Sequence, residues 1–340
     1  MGGWQEIQTW TAPQLDDEQR KRLQTKVCPA CGREFAGYFV LCPTDQLTLN
    51  DVPPPSGPLN QVVEPGDKLG LGSLFEVYQG KNTQTDQRVV IKAVRRDIEC
   101  EQRYMKNFER EQMIASGLKH KNIGTTFGFG VLPNQYSLRP YIITEYVDGI
   151  SLATALEQWG ACDDAKLAAL LIEQICDAFE HAQMFGAVHG DFKPNNVYIS
   201  AEEDKPLAKV VDFAVSRRSF PGGSDTRYGA GASAQSLSSS MYTSPELAKT
   251  NVPTAASDVY AVGCTVYQLL TGKTPFAGTS AFELAYAHEK DEPAPFPEQP
   301  EVPQALRDAV MQCLNKDAEK RPKDLAQLKA AAAGVSGVSA

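Results

Sequence analysis

Val188-His189-Gly190-Asp191-Phe192-Lys193-Pro194-Asn195-Asn196 is the stretch on which the reading of this chain turns. Its pattern, Asp-x-Lys-Pro-x-Asn, makes several specific demands at once: a carboxylate, an ammonium, a ring-locked proline and a carboxamide. Sixteen residues after Asn196 comes Asp212, in Val210-Val211-Asp212-Phe213-Ala214, an apolar strand ending in a second carboxylate. An Asp-Phe pair alone carries no signal. At this distance it fits a hairpin that returns Asp212 to the side of Asn196.

Working outward, Leu69-Gly70-Leu71-Gly72-Ser73-Leu74-Phe75-Glu76-Val77-Tyr78 places Gly70 and Gly72 where backbone amides can approach a phosphate without an intervening side chain. Alone, that loop reads equally well as a bare turn between strands. Val89-Val90-Ile91-Lys92 is an apolar strand ending in lysine, which alone would be an edge with a solvated tip. Glu111 stands nine residues before His120-Lys121-Asn122-Ile123. Downstream lie Ser244-Pro245-Glu246, then Asp258-Val259-Tyr260-Ala261-Val262-Gly263, then Lys320-Arg321-Pro322.

In this order, over residues 62–330, these motifs resemble the protein kinase family. The Lys193-Pro194 pair resembles its Ser/Thr branch, and the whole resembles bacterial Ser/Thr kinases of the eukaryotic-like (Hanks) type. The resemblance implies an α+β, bilobal protein kinase fold, with a β-rich N-lobe and an α-helical C-lobe. It implies transfer of the γ-phosphoryl group of ATP, with Mg²⁺, to the hydroxyl of a protein substrate. Asp191 would orient and accept from that hydroxyl, and Lys193 would neutralise the moving phosphoryl. Asn196 and Asp212 would ligate Mg²⁺, and Lys92 would meet the α- and β-phosphates. Glu111 would hold Lys92 by an ion pair, with Glu109 as its competitor. Leu69, Gly70, Gly72, Val77, Val90, Lys92, Thr144, Glu145, Val147 and Tyr198 would line the ATP site. Glu246 would pair with Arg321, and the helix opening at Asp258 would anchor the segment that ends in Glu246.

Departures from the family pattern gather around the nucleotide. Phe75 replaces the third loop glycine and puts a bulky side chain where backbone would fold over phosphate. Val90 narrows the roof over adenine, Tyr198 occupies a floor position that is usually aliphatic, and Ala214 stiffens the turn after Asp212-Phe213. Either small shifts of the loops absorb these changes, or nucleotide binding is weakened or unusual and Phe75→Gly improves it. Gly190 stands where regulated kinases carry Arg before the catalytic Asp, so phosphorylation at Ser236, Ser238, Ser239 or Ser240 has a weaker route to the catalytic loop. The alternative to an active kinase is a pseudokinase or nucleotide-binding scaffold acting through protein interactions. A small-molecule kinase is disfavoured by the Ser-Pro-Glu segment and the Asp258 anchor.

Cys28-Pro29-Ala30-Cys31-Gly32 has the spacing of a zinc knuckle, and Cys42-Pro43-Thr44-Asp45 resembles a second knuckle whose last Cys has become Asp. Cys28, Cys31, Cys42 and Asp45 can complete a tetrahedron around structural Zn²⁺, in a zinc-ribbon-like module that suits docking of a protein partner. A redox pair, or Asp45 as a plain turn residue, are the other readings. Cys100, Cys162, Cys176, Cys264 and Cys313 are scattered singly, which suggests reduced thiols in a cytoplasmic protein.

The domain map is a polar segment over 1–25, helical or loosely ordered; the zinc-ribbon-like module over 26–50; and a proline-rich linker over 51–61. The kinase domain over 62–330 and a disordered tail over 331–340 complete it. Strand-like runs such as Tyr141-Ile142-Ile143-Thr144 come first. A helix from Asp164 to Phe185 then buries Leu167, Leu171, Ile175, Phe179 and Ala182 on one stripe. A net charge of -9 argues against a nucleic-acid partner, and no run of about 18 apolar residues spans a bilayer.

Overall fold

The computed structural model describes residues 3, 4, 7, 16, 25–30, 34–36, 40–51, 62–72, 74–95, 102–132, 139–202, 205–213, 234–298 and 302–336. Three short strands, β1 (Thr25–Val27), β2 (Glu34–Ala36) and β3 (Asn50–Asp51), pair antiparallel in the order β2-β1-β3 and flank the cysteine segment.

From Val63 the chain builds one antiparallel sheet. Its strands are β4 (Val63–Leu71), β5 (Phe75–Asn82), β6 (Arg88–Val94), β7 (Thr126–Leu132) and β8 (Arg139–Glu145), in the order β4-β5-β6-β8-β7. Helix α1 (Gln102–Gly117) connects β6 to β7. Side chains alternate across a strand, and directly paired residues share a face. Val77 pairs with Lys92, Lys92 with Ile142, and Val90 with Thr144, so one face carries them all. The other face closes on Tyr78, Val89, Ile91, Ala93, Tyr141 and Ile143 as a core of its own.

The helical lobe follows β9 (Ile150–Ser151): α2 (Leu152–Trp159), α3 (Ala165–Met184), the hairpin β10 (Val197–Glu202) and β11 (Lys205–Val210), and α4 (Ala234–Ser240). Then come α5 (Pro245–Thr250), α6 (Ala255–Thr271), α7 (Ala281–Lys290), α8 (Gln304–Cys313) and α9 (Ala326–Ser336). Helix α3 starts where the sequence places it, because the Asp164 carboxylate accepts from the amides of Lys166 and Leu167. Its predicted stripe is buried throughout. Helix α6 is buried almost all round and forms the centre of the lobe.

Two expectations change at the ends of the chain. Residues 331–336 continue helix α9, with Ala332 fully buried and Ala331 and Val335 packed on the core, where a disordered tail was expected. The alanine run has high helix propensity, and its small side chains let α9 lie close against α3. Lys329 on α9 pairs with both Asp177 and Glu180 of α3. Within the polar segment 1–25, Trp4 and Ile7 are buried members of the C-lobe core. The Trp4 indole donates to the Ala161 carbonyl at 2.9 Å and stands edge-on to Trp159. Residues 52–61, the body of the expected linker, lie outside the described residues.

Candidate active site

The expected hairpin forms. Val197 pairs with Val210, and the Val211 amide donates to the Asn196 carbonyl at 2.9 Å, which sets Asp212 beside Asn196. Asp212 has φ +68, a left-handed conformation that Asp tolerates better than most residues and that marks strained functional positions.

Across the loop, the Lys193 ammonium donates to Asp191 Oδ2 at 3.0 Å and to the Ser239 hydroxyl at 2.6 Å. The Asn196 amide donates to the Asp191 carbonyl at 2.9 Å, which turns its own oxygen the other way. Lys92 reaches from β6 and forms an ion pair with Asp212. Among the described residues the ion pair seen for Lys92 is this one, with Asp212. Leu69, Gly70, Gly72, Val77, Val90, Thr144, Glu145, Val147 and Tyr198 are all half-buried. Glu145 is tethered there, accepting from Lys209 Nζ at 2.5 Å and from the Thr125 amide at 3.0 Å. Burial pushes the Tyr198 phenol up, with the Asp212 carboxylate adding to it.

The catalytic loop is held from beneath. The buried Asp258 carboxylate accepts from the His189 amide at 2.7 Å and the Gly190 amide at 2.9 Å. Burial pushes its carboxyl up to about 7, against the pull of those two donors. His189 Nε2 lies 3.0 Å from the Val211 carbonyl, joining this loop to the strand that carries Asp212. Phe179, Phe192 and Phe213 surround its imidazole, and burial holds that imidazole below its ordinary pKa. Gly190 has φ +79, and a Cβ there would meet Pro253 at 3.1 Å. Position 190 therefore has a conformation that suits glycine.

Farther out, Arg321 makes the predicted pair with Glu246 in two parallel bonds of 2.7 and 2.8 Å. Arg321 also stacks over Tyr260, and the Ser244 hydroxyl donates to Glu246 at 2.7 Å.

Phe75 behaves differently from its expectation. Its ring is buried in a cluster with Val94, Met105, Phe108 and Ile142, against α1, so the side chain is not laid over the phosphate site. The third-glycine position has become an apolar anchor between the loop and α1. Ser239 also changes role. It was grouped with phosphorylation candidates, yet it is 5% exposed and its hydroxyl bonds Lys193. No local pattern distinguishes it from Ser238 and Ser240; only the return of α4 to the catalytic loop does so. Asn122, in the His120-Lys121-Asn122-Ile123 motif, has a structural part of its own. Buried, it donates to the Ala208 carbonyl at 2.8 Å, and its own carbonyl accepts the Val210 amide, tying the end of α1 to β11. Ala214 and the side chain of Ser236 lie outside the described residues.

In the cysteine segment, the sulfurs of Cys28 and Cys42 each lie 3.3 Å from Asp45 Oδ2, and the three donor atoms fall within 4.8 Å of one another. Tetrahedral Zn²⁺ with bonds of about 2.3 Å to sulfur fits a donor set of that spacing. Desolvation works to raise the Cys42 thiol, but amides aimed at its sulfur from Asp45 and Thr44 bring it below its ordinary value. Cys31 lies outside the described residues. For Mg²⁺, a hard cation that takes oxygen ligands, the Asp212 carboxylate and the oriented Asn196 oxygen are suitable donors.

A two-lobed chain with an Asp-Lys-Asn catalytic loop and an Asp-Phe strand end beneath a glycine-rich turn has the architecture of a protein kinase. Residues 63–331 match the family model for the protein kinase domain, and the chain belongs to that family. It is 32% identical over 273 residues to the serine/threonine-protein kinase PknB of Mycobacterium tuberculosis, covering 80% of this chain and 42% of that protein. The PknB of Mycolicibacterium smegmatis is 30% identical over 273 residues, with the same 80% and 42% covered. The probable serine/threonine-protein kinase PknB of Corynebacterium glutamicum is 31% identical over 227 residues, 67% of this chain and 34% of that protein. The chain thus carries a protein kinase domain related to bacterial serine/threonine-protein kinases and spans less than half the length of those relatives. No helix among the described residues is long and apolar enough to cross a membrane.

Proposed function

We propose that this chain is a Ser/Thr protein kinase that transfers the γ-phosphoryl group of ATP to a protein hydroxyl. One observation carries the reading: Lys193 binds Asp191 and Ser239 at once, at 3.0 and 2.6 Å, with Asn196 fastened to the Asp191 carbonyl. Asp191 orients the acceptor hydroxyl and takes its proton, and Lys193 neutralises charge on the group in transit. Lys92 meets the α- and β-phosphates once drawn from Asp212, with Glu111 as its partner in that state. Asn196 and Asp212 would hold Mg²⁺, which when bound offsets phosphate charge.

Leu69, Gly70, Gly72, Val77, Val90, Thr144, Glu145, Val147 and Tyr198 form the nucleotide lining. Val90 above and the Tyr198 phenol below make it an atypical pocket. With Gly190 before Asp191, turnover does not depend strongly on activation-segment phosphorylation. Of the two residues that would favour a scaffold, Phe75 and Tyr198, Phe75 packs toward α1 and no longer speaks for that reading.

The N-terminal module binds structural Zn²⁺ through Cys28, Cys42 and Asp45 with Cys31 as fourth ligand, and serves as a docking element for a protein partner. Residues 62–330 act as the catalytic domain, in the cytoplasm, where ATP is available. Transfer of label from γ-labelled ATP to a generic basic protein, lost in Asp191→Ala, tests the catalytic reading; equal background in both removes it. Unchanged zinc content in Cys31→Ser removes the metal reading.

A further inference from the structure

Behind the glycine-rich loop lies a buried charge cluster that the transfer chemistry does not use. Glu76 is fully buried and accepts from Lys68 Nζ at 2.7 Å, from the Tyr78 hydroxyl at 2.8 Å, and from the Arg139 guanidinium. The Lys68 and Arg139 side chains are only 9% and 5% exposed. A carboxylate so removed from water persists only with charge and hydrogen-bond partners. Burial works to raise the Glu76 carboxyl, and Arg139 and Lys68 more than offset it, leaving it below its ordinary value.

The placement of these residues gives the cluster its meaning. Lys68 and Glu76 sit on β4 and β5, the two stems of the loop, each one residue from an expected ATP-lining side chain: Leu69 on one stem, Val77 on the other. Since side chains alternate, Val77 shares a face with Lys92, whereas Glu76 points behind the sheet. The β4–β5 register shifts between Pro65 and Lys68 and again between Lys68 and Gly70. A bulge re-aims a side chain, and here the re-aimed ammonium enters the buried face. The third corner, Arg139 on β8, donates Nε to the Val94 carbonyl at 2.8 Å. The next residue, Arg95, donates its amide to the Leu74 carbonyl at 3.0 Å and its guanidinium to the Gly72 carbonyl at 3.4 Å. Both stems and the tip of the loop are therefore tied into one set of contacts.

We propose that the Lys68–Glu76–Arg139 cluster is a brace that sets the height of the glycine-rich loop over the nucleotide phosphates, making Lys68 and Glu76 positioning residues. The proposal rests on the reading that this loop receives the phosphates of ATP. Lys68→Met is the informative variant, because Glu76 keeps Arg139 and Tyr78 and the buried carboxylate is not orphaned. Calorimetric titration of the whole chain compares Mg-ATP with adenosine, which lacks the phosphates. Lys68→Met weakens Mg-ATP binding about tenfold, leaves adenosine affinity unchanged, and holds the thermal midpoint within about 3 °C; Lys68→Arg restores the affinity. Unchanged Mg-ATP binding in Lys68→Met, equal losses for both ligands, or a wild-type chain that binds no Mg-ATP overturns the brace. A wild-type chain that binds Mg-ATP but transfers no label removes the kinase reading alone, since the brace is read from the phosphate-dependent difference in affinity.

Discussion

The floor and the roof of the cleft are built on different principles. On the floor, the catalytic loop is suspended from the C-lobe core by directional bonds. Asp258 takes two of its amides, His189 reaches the Val211 carbonyl, and Asn196 and Lys193 brace Asp191. The roof is positioned by packing and by buried charge: Phe75 against α1, and Glu76 between Lys68 and Arg139. A floor made of fixed dipoles can hold reacting groups in place without reorganising. A roof that is two strands and a turn must be stiffened from behind, because its own backbone faces the ligand.

The largest test of that contrast is Asp191→Ala, which should lower turnover by about a thousandfold with little change in thermal midpoint. A loss of folding instead would show that the floor depends on the side chain it presents. Next, Phe75→Gly should cost about 4 kcal/mol of stability through the cavity left beside Met105 and Phe108, as measured by chemical denaturation. A stable variant with tighter ATP binding would return Phe75 to the phosphate site and break the comparison.

Arg321→Ala should cost about 3 kcal/mol by stranding Glu246 and opening a buried site. Its turnover at a temperature where it remains folded should fall as the segment ending in Glu246 loosens.

A smaller effect concerns His288, buried between Tyr260 and Phe276, whose imidazole is pushed down to about 4. Burial is the main cause, with Lys316 adding to it. An imidazole with a folded pKa below its unfolded value contributes stability above about pH 6.5 that is lost as pH falls toward 4. The change in stability from pH 7 to pH 5, measured by denaturation, should be less favourable by about 2 kcal/mol in the wild type than in His288→Gln, a comparison in which the opposite contribution of the Asp258 carboxyl, raised to about 7, cancels. The smallest effect expected is that of phosphatase treatment, which should change turnover by less than about twofold if the glycine at 190 has uncoupled the loop from phosphate; abolished turnover would refute that.

The candidate site was legible because each of its parts is a polar residue type that chemistry demands at a set spacing. Asp191, Lys193, Asn196 and Asp212 come together as their motifs predicted, and Arg321 meets Glu246 across the lobe. Helix α3 was legible through its cap and its stripe. Residues that act only by long-range return of the chain were not legible. Ser239 lies in a run of like residues, and Glu76 has the look of a solvated strand charge. Trp4 is 157 positions from the carbonyl it binds.

The sequence by itself determined the class of fold, the position of the catalytic loop and the identity of its polar groups, since local spacing and side-chain chemistry carry that information. Tertiary structure alone decided which face Phe75 turns to, which carboxylate holds Lys92, and where the charge of Glu76 is neutralised. Those outcomes depend on which strand faces close on one another and how much water they exclude, and neither quantity is written in any short stretch of the chain.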